Sequence, residues 1–197
     1  MNTENRIGDW IQTYSGKQFW PLDPRPEEVF VEDIAHSLSR ISRFGGHNKD
    51  GELGYSVAQH SVLVSRYSKH PKQGLFHDAP EAYGLGDILR PLKIHIPIIT
   101  EIEQRIYGAV ASCFRLPEQL DADVKHWDSV VMMMERRDLM GTPPAPWWPD
   151  LETLELPPEK IVILSPRQAE EQFLTHYYKL FSTIYNLGDW YRRQPSS

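Results

Sequence analysis

Five side chains carry the chemistry this sequence could perform. His60 stands in the run SVAQHS, His77 and Asp78 are adjacent, Glu81 follows four and three residues after them, and Asp128 lies further on among apolar residues. At those spacings His77, Asp78 and Glu81 can share one side of a helical turn. Two imidazoles and two carboxylates drawn from three helices would make a nitrogen-and-oxygen site for a divalent ion. Zn²⁺, Mn²⁺, Co²⁺ or Fe²⁺ suits such a site, and Mg²⁺ suits one with fewer histidines. Spacing leaves Asp128 two other readings, a surface carboxylate or one half of a buried ion pair. The other six histidines carry less. His70, His126 and His176 read as structural or solvated, and His36 as a satisfied structural histidine. His47, between Gly46 and Asn48, would either touch a substrate or be solvated.

These residues need elements to position them, and hydrophobic periodicity supplies candidates. Ile34, Leu38 and Ile41 form an apolar stripe that predicts a helix over 31–43. Ser56 is the expected N-cap of the helix holding His60. A third helix is expected over GLFHDAPEAY, with Pro80 kinking or ending it. Residues 84–93 read as loop, and Pro97 opens a helix with Ile99, Ile102, Ile106, Ala109 and Cys113 on one face. A helix is expected over 118–140, with Val124, Trp127, Val131 and Met134 toward the core. TPPAPWWPD (142–150) reads as irregular because prolines dominate it. Ser165, Pro166 and Gln168 spell a capping box, followed by Ala169, Phe173, Tyr177, Leu180 and Ile184 on one face. Ser15-Gly16 between aromatic-rich runs predicts a small hairpin. The fold class is therefore all-α with an N-terminal hairpin. It reads as one domain: a hairpin and arm (1–30), a helical core (31–140), a Pro/Trp-rich loop (141–164) and a final helix (165–187).

Composition narrows the function classes. The chain has 197 residues, one cysteine and a formal charge of −6. One cysteine allows no internal disulfide and no thiolate zinc site, and it fits a reducing compartment. A pI near 5.7 argues against duplex nucleic acid as a partner. No apolar run is long enough for a membrane span, and MNTENRIGDW lacks the pattern of a secretory signal, so a cytoplasmic location is expected. Arg136-Arg137-Asp138 reads as a solvated or interhelix ion-pair face. Trp147 and Trp148 read as core packing or a subunit contact rather than base stacking, with a homo-oligomer expected.

The ordered set AQH, HDAPEA (77–82), GD and RPLK (86–93), and then Asp128 resembles the HD-domain metal phosphohydrolases. It is most similar to the branch of the 5′-deoxynucleotidases and the phage deoxynucleoside triphosphate (dATP-type) triphosphohydrolases. The resemblance spans most of the chain. It implies an HD-domain helical bundle, a divalent metal cofactor (Zn²⁺, Mn²⁺, Co²⁺ or Mg²⁺) and a small deoxynucleotide substrate. It implies His60, His77, Asp78 and Asp128 as metal ligands and Glu81 as the carboxylate that activates water. Asp87 corresponds to a sugar-pocket carboxylate, Arg43 to a phosphate-binding arginine and Phe44 to an aromatic near the sugar, while Lys93 is placed to meet phosphate charge. Two departures stand out: one extra residue between Glu81 and Asp87, at Gly84 or Leu85, and a long HNKDGELG loop. The alternatives are a non-catalytic nucleotide-binding regulatory module and an HD phosphodiesterase.

Overall fold

The computed structural model describes residues 6–49 and 54–181. Two short strands, β1 (Ile11–Gln12) and β2 (Gln18–Phe19), pair antiparallel across the expected Ser15-Gly16 turn. Among the described residues eight α-helices follow: α1 (Val31–Leu38), α2 (Val57–Tyr67), α3 (Pro71–Phe76), α4 (Arg90–Lys93), α5 (Pro97–Phe114), α6 (Ala122–Leu139), α7 (Pro149–Glu152) and α8 (Pro166–Leu180). The chain is mostly helical, as its periodicity predicts. No helix among the described residues is long and apolar enough to cross a membrane.

Helix α2 is the hub, packing against α3, α6 and α8. Val57, Ala58 and Val64 are fully buried on it, and His60 and Ser61 are buried beside them. Ser56 caps it by accepting from the Gln59 amide at 3.3 Å. The α8 capping box is formed, and Phe173 and Leu174 are fully buried below it, each contributing about 1.5–3 kcal/mol of apolar burial. The remainder of the expected last helix, including Ile184, lies outside the described residues.

Several expected boundaries move, each for a local reason. Helix α1 stops at Leu38 rather than Arg43. The Ser39 hydroxyl and the Arg40 guanidinium both donate to the His36 carbonyl at 2.8 Å, closing the helix end. The chain then runs extended through Ser42, which bridges to Ser56. The third expected helix is broken: α3 ends at Phe76, and a 3-10 helix, Ala79–Tyr83, begins with Pro80 in its first turn. His77 and Asp78 occupy the break. Helix α6 starts at Ala122 instead of residue 118, because the Asp121 side chain caps it by accepting from the Asp123 amide at 2.8 Å. Two segments expected to be irregular contain short helices, α4 with Pro91 and α7 with Pro149 in the first turn. There the missing amide costs nothing.

Gly74 shows how packing brings the site residues together. A Cβ at this position would lie 3.0–3.3 Å from the Ser65 and Val64 backbone. Without that atom α3 lies directly against α2, which sets His77 beside His60.

Candidate metal centre

His60 on α2, His77 and Asp78 at the α3 break, and Asp128 on α6 converge on one point. The two Nε2 atoms are 3.2 Å apart. Asp128 Oδ1 lies 3.1 Å from His60 Nε2 and 3.8 Å from His77 Nε2. Asp78 Oδ2 lies 3.2 Å from His77 Nε2 and 3.6 Å from His60 Nε2. His60, His77 and Asp128 form a group that could hold a metal ion. With metal–nitrogen bonds of about 2.0–2.1 Å, two ligands of a tetrahedral ion sit about 3.3 Å apart, close to the observed separation.

The outer ring nitrogens settle which way each imidazole presents its lone pair. His77 Nδ1 donates to the Gly74 carbonyl at 2.7 Å, since a carbonyl only accepts. His60 Nδ1 donates to Glu135 Oε1 at 2.7 Å. With Nδ1 so engaged, the neutral form of each ring turns its Nε2 lone pair inward, the arrangement that metal-ligating histidines adopt. The surrounding charges also favour a cation. Burial opposes a proton on His77, yet Asp78 and Asp128 outweigh it and raise its pKa well above the usual value. For His60, burial and Arg43 oppose a proton while Glu135 and Asp128 prevail. Burial alone would raise Asp78 and Asp128, but the facing imidazoles hold both below the ordinary carboxylate range.

The cluster opens into a cavity of about 840 Å³, toward the large end of ligand pockets, which run roughly 300–1,000 Å³. Asp78, Asp128, Glu81, Asp87, Arg43, Phe44, His47 and Lys93 all line it. His60 and His77 lie buried behind its wall. Asp128 faces this cavity and pairs with both imidazoles.

Glu81 Oε2 and Asp87 Oδ2 are buried without a hydrogen-bond partner among the described residues. Burial, reinforced by Asp78 and Asp87, pushes the Glu81 carboxyl well above its usual range. The extra residue before Asp87 lies in a turn with Gly84 and Gly86 at φ +98° and +67°, closed by the Gly86 amide donating to the Glu81 carbonyl at 3.1 Å. Phe44 itself has φ +57°, costly for an aromatic residue, and sits beside a buried Arg43. Arg43 lies five residues beyond the end of α1 and is held by two carboxylates. Its Nε donates to Glu135 Oε2 at 2.9 Å, and one terminal nitrogen lies 3.5 Å from Asp78. Lys93 Nζ pairs with Glu103 at 2.7 Å.

Sequence reading missed Glu135, fully buried and bonded to both His60 and Arg43. Its signal was available: seven residues after Asp128 on one helix, it shares that residue's face. Sequence reading also missed Arg90, which lines the cavity together with Trp147 and Trp148. The tryptophans therefore face the cavity rather than the core. His36 stays away from the site, stacked on Tyr14 at 3.6 Å and bonded to Glu170. Arg137 and Lys160 clasp Asp138 at 2.7 and 2.8 Å, and Arg136 on α6 pairs with Glu152 on α7 at 2.7 Å, an interhelix ion pair of the kind expected there.

No family model matches the chain. It is 36% identical over 146 residues to an uncharacterized protein of Rhodobacter capsulatus, spanning 67% of this chain and 74% of that protein. It is 35% identical over 174 residues to the uncharacterized protein YfdR of Escherichia coli, spanning 87% of this chain and 95% of YfdR. With a third of its residues shared across nearly the whole of that relative, the chain belongs to the family of YfdR.

Proposed function

We propose that this protein is a metal-dependent phosphohydrolase of the HD-domain type acting on 2′-deoxynucleotides. It would be either a deoxynucleoside triphosphate triphosphohydrolase or a 5′-deoxynucleotidase working in the cytoplasm. The observation that carries the reading is the convergence of two imidazole Nε2 atoms and two carboxylates beside a cavity that also holds buried Glu81, one of whose oxygens has no hydrogen-bond partner among the described residues.

A divalent ion, when bound, polarises a phosphoryl oxygen and lowers the pKa of a coordinated water. His60, His77, Asp78 and Asp128 would hold it. Glu81 is the group to take the proton of the attacking water, because it lines the cavity beside the cluster and its Oε2 has no hydrogen-bond partner among the described residues. Arg43 is braced by Glu135 and donates to the phosphate in a fixed orientation. Asp87 accepts from the sugar 3′-hydroxyl. Four carboxylates line the cavity against three basic side chains, Arg43, Arg90 and Lys93, so a phosphate ester enters favourably only with a divalent cation present.

The test is a panel of the four dNMPs, the four dNTPs and their ribo forms, each with Mn²⁺, Co²⁺, Zn²⁺ and Mg²⁺, with products separated as phosphate or triphosphate. Metal-dependent release from deoxynucleotides is expected, and Asp78→Asn and His77→Ala should abolish it. Wild-type rates in those variants would refute the proposal.

A further inference from the structure

The basic residues around the cavity are not equally free to meet a ligand. Arg43 is committed to Glu135 and Asp78. Lys93, which the sequence points to for phosphate, is committed to Glu103 at 2.7 Å. Arg136, behind Trp147, closes on Glu152 at 2.7 Å. Arg90 lines the same cavity, is exposed, and makes no ion pair among the described residues. Its guanidinium lies 4.9 Å over the ring of Trp148.

That contact restrains Arg90 without neutralising it. A ring face attracts a cation by electrostatics and leaves its charge and N–H donors available. The indole narrows the rotamers of a long side chain, so less freedom is lost when a ligand binds. A planar guanidinium with two parallel donors matches the oxygens of a phosphate group.

We propose that Arg90, braced on Trp148, is the subsite for the outer phosphates of a nucleoside polyphosphate whose reacting phosphate sits at the His60–His77–Asp78–Asp128 cluster. The inference rests on the phosphohydrolase reading and selects the triphosphate class within it. The outer phosphates carry most of such a substrate's charge. In a cavity lined by four carboxylates they require a cation that is not already paired, and Arg90 meets that requirement.

Inorganic tripolyphosphate and the four 2′-deoxynucleosides serve as separate probes of the two halves of the substrate. Binding of each is measured by calorimetry, with free Mn²⁺ in excess, to the wild type and to Arg90→Met, Arg90→Lys, Trp148→Ala, Trp148→Phe and Lys93→Met. Arg90→Met should weaken tripolyphosphate roughly ten- to hundredfold and leave deoxynucleosides unchanged. Arg90→Lys should recover part of that loss. Trp148→Ala and Lys93→Met should each weaken tripolyphosphate less than Arg90→Met does, and Trp148→Phe should stay close to wild type. Unchanged tripolyphosphate binding in Arg90→Met, or a loss confined to deoxynucleosides, overturns the proposal. If the wild type hydrolyses no nucleotide yet shows the Arg90 effect, the catalytic reading fails and the subsite stands. If it hydrolyses monophosphates and does not bind tripolyphosphate, the subsite fails and the hydrolase stands.

Discussion

Removing the Glu135 side chain should damage stability and metal binding together. Glu135 is fully buried and bonds His60 Nδ1 at 2.7 Å and Arg43 Nε at 2.9 Å. At an effective dielectric near 20, unit charges 2.9 Å apart attract by about 6 kcal/mol. Part of that is offset because the carboxylate itself no longer has to be buried. Glu135→Ala leaves Arg43 buried with Asp78 at 3.5 Å as its nearest carboxylate, and the net cost of such a broken pair is about 3–5 kcal/mol. For a domain of this length that lowers Tm by roughly 10 °C. His60 also loses the acceptor that orients its ring, which should weaken metal affinity about 10- to 100-fold. Urea unfolding gives the first quantity, and Co²⁺ titration against a competing chelator gives the second. The double variant Arg43→Met, Glu135→Leu removes both charges and should recover most of the stability while leaving metal affinity low. A Glu135→Ala protein within 1 kcal/mol of wild type, with unchanged metal affinity, would refute the reasoning.

Four other outcomes follow from the geometry. Gly74→Ala should destabilise by about 1–3 kcal/mol, since its Cβ meets backbone atoms of α2 that cannot swing aside; a neutral effect in urea melts would show that the α2–α3 contact is slack. Chelator should lower Tm of protein purified with Mn²⁺, and restoring the ion at 100 times its Kd should return about 2.7 kcal/mol of stability; scanning calorimetry decides this. Asp138 is held below the usual carboxylate range by Arg137, against burial, with Lys160 and the Ile161 amide adding to the effect. A depressed folded-state pKa stabilises above the unfolded value of about 3.9 and loses that stabilisation as pH falls below it. The stability gap between wild type and Asp138→Asn should therefore be full at pH 6 and shrink from pH 4 to pH 3, and a gap independent of pH would contradict this. Leu92, Ile96 and Ile98 are 41–59% exposed in one run; if the self-association expected from the sequence uses this face, Ile96→Glu with Ile98→Glu should lower the mass seen by light scattering, and an unchanged mass rules this face out.

Local rules made much of the architecture readable. The Ser56 and Ser165 caps and the stripes of α5, α6 and α8 depend on residues within a few positions of one another, and they lie where periodicity puts them. The end of α1 was not readable, because it is decided by the Ser39 and Arg40 bonds to His36 and by the Ser42–Ser56 bridge. Pro91 and Pro149 misled for a related reason: a residue that bars a helix interior also opens a helix. In the site, residue types suggested a metal-binding group, and its geometry came from the approach of α3 to α2 at Gly74. The pairing of Lys93 with Glu103 and the approach of Trp148 to Arg90 link separate segments. No spacing along the chain encodes such encounters.

Helix α6 carries Asp128 toward the cluster, Glu135 behind it, and Arg136, which holds the segment bearing Trp147 and Trp148 through Glu152 and the Trp147 ring. It therefore works as a ruler with three graduations. One residue inserted between Asp128 and Glu135 would turn everything beyond it by about 100°, aiming Glu135 away from His60 and pulling the tryptophan segment off the cavity in a single event. An insertion of seven residues would restore the angle within about 20° but displace the later marks by about 10.5 Å. Length changes in this family should accordingly collect in the connections around the helix, and the interval from 128 to 136 should keep its phase.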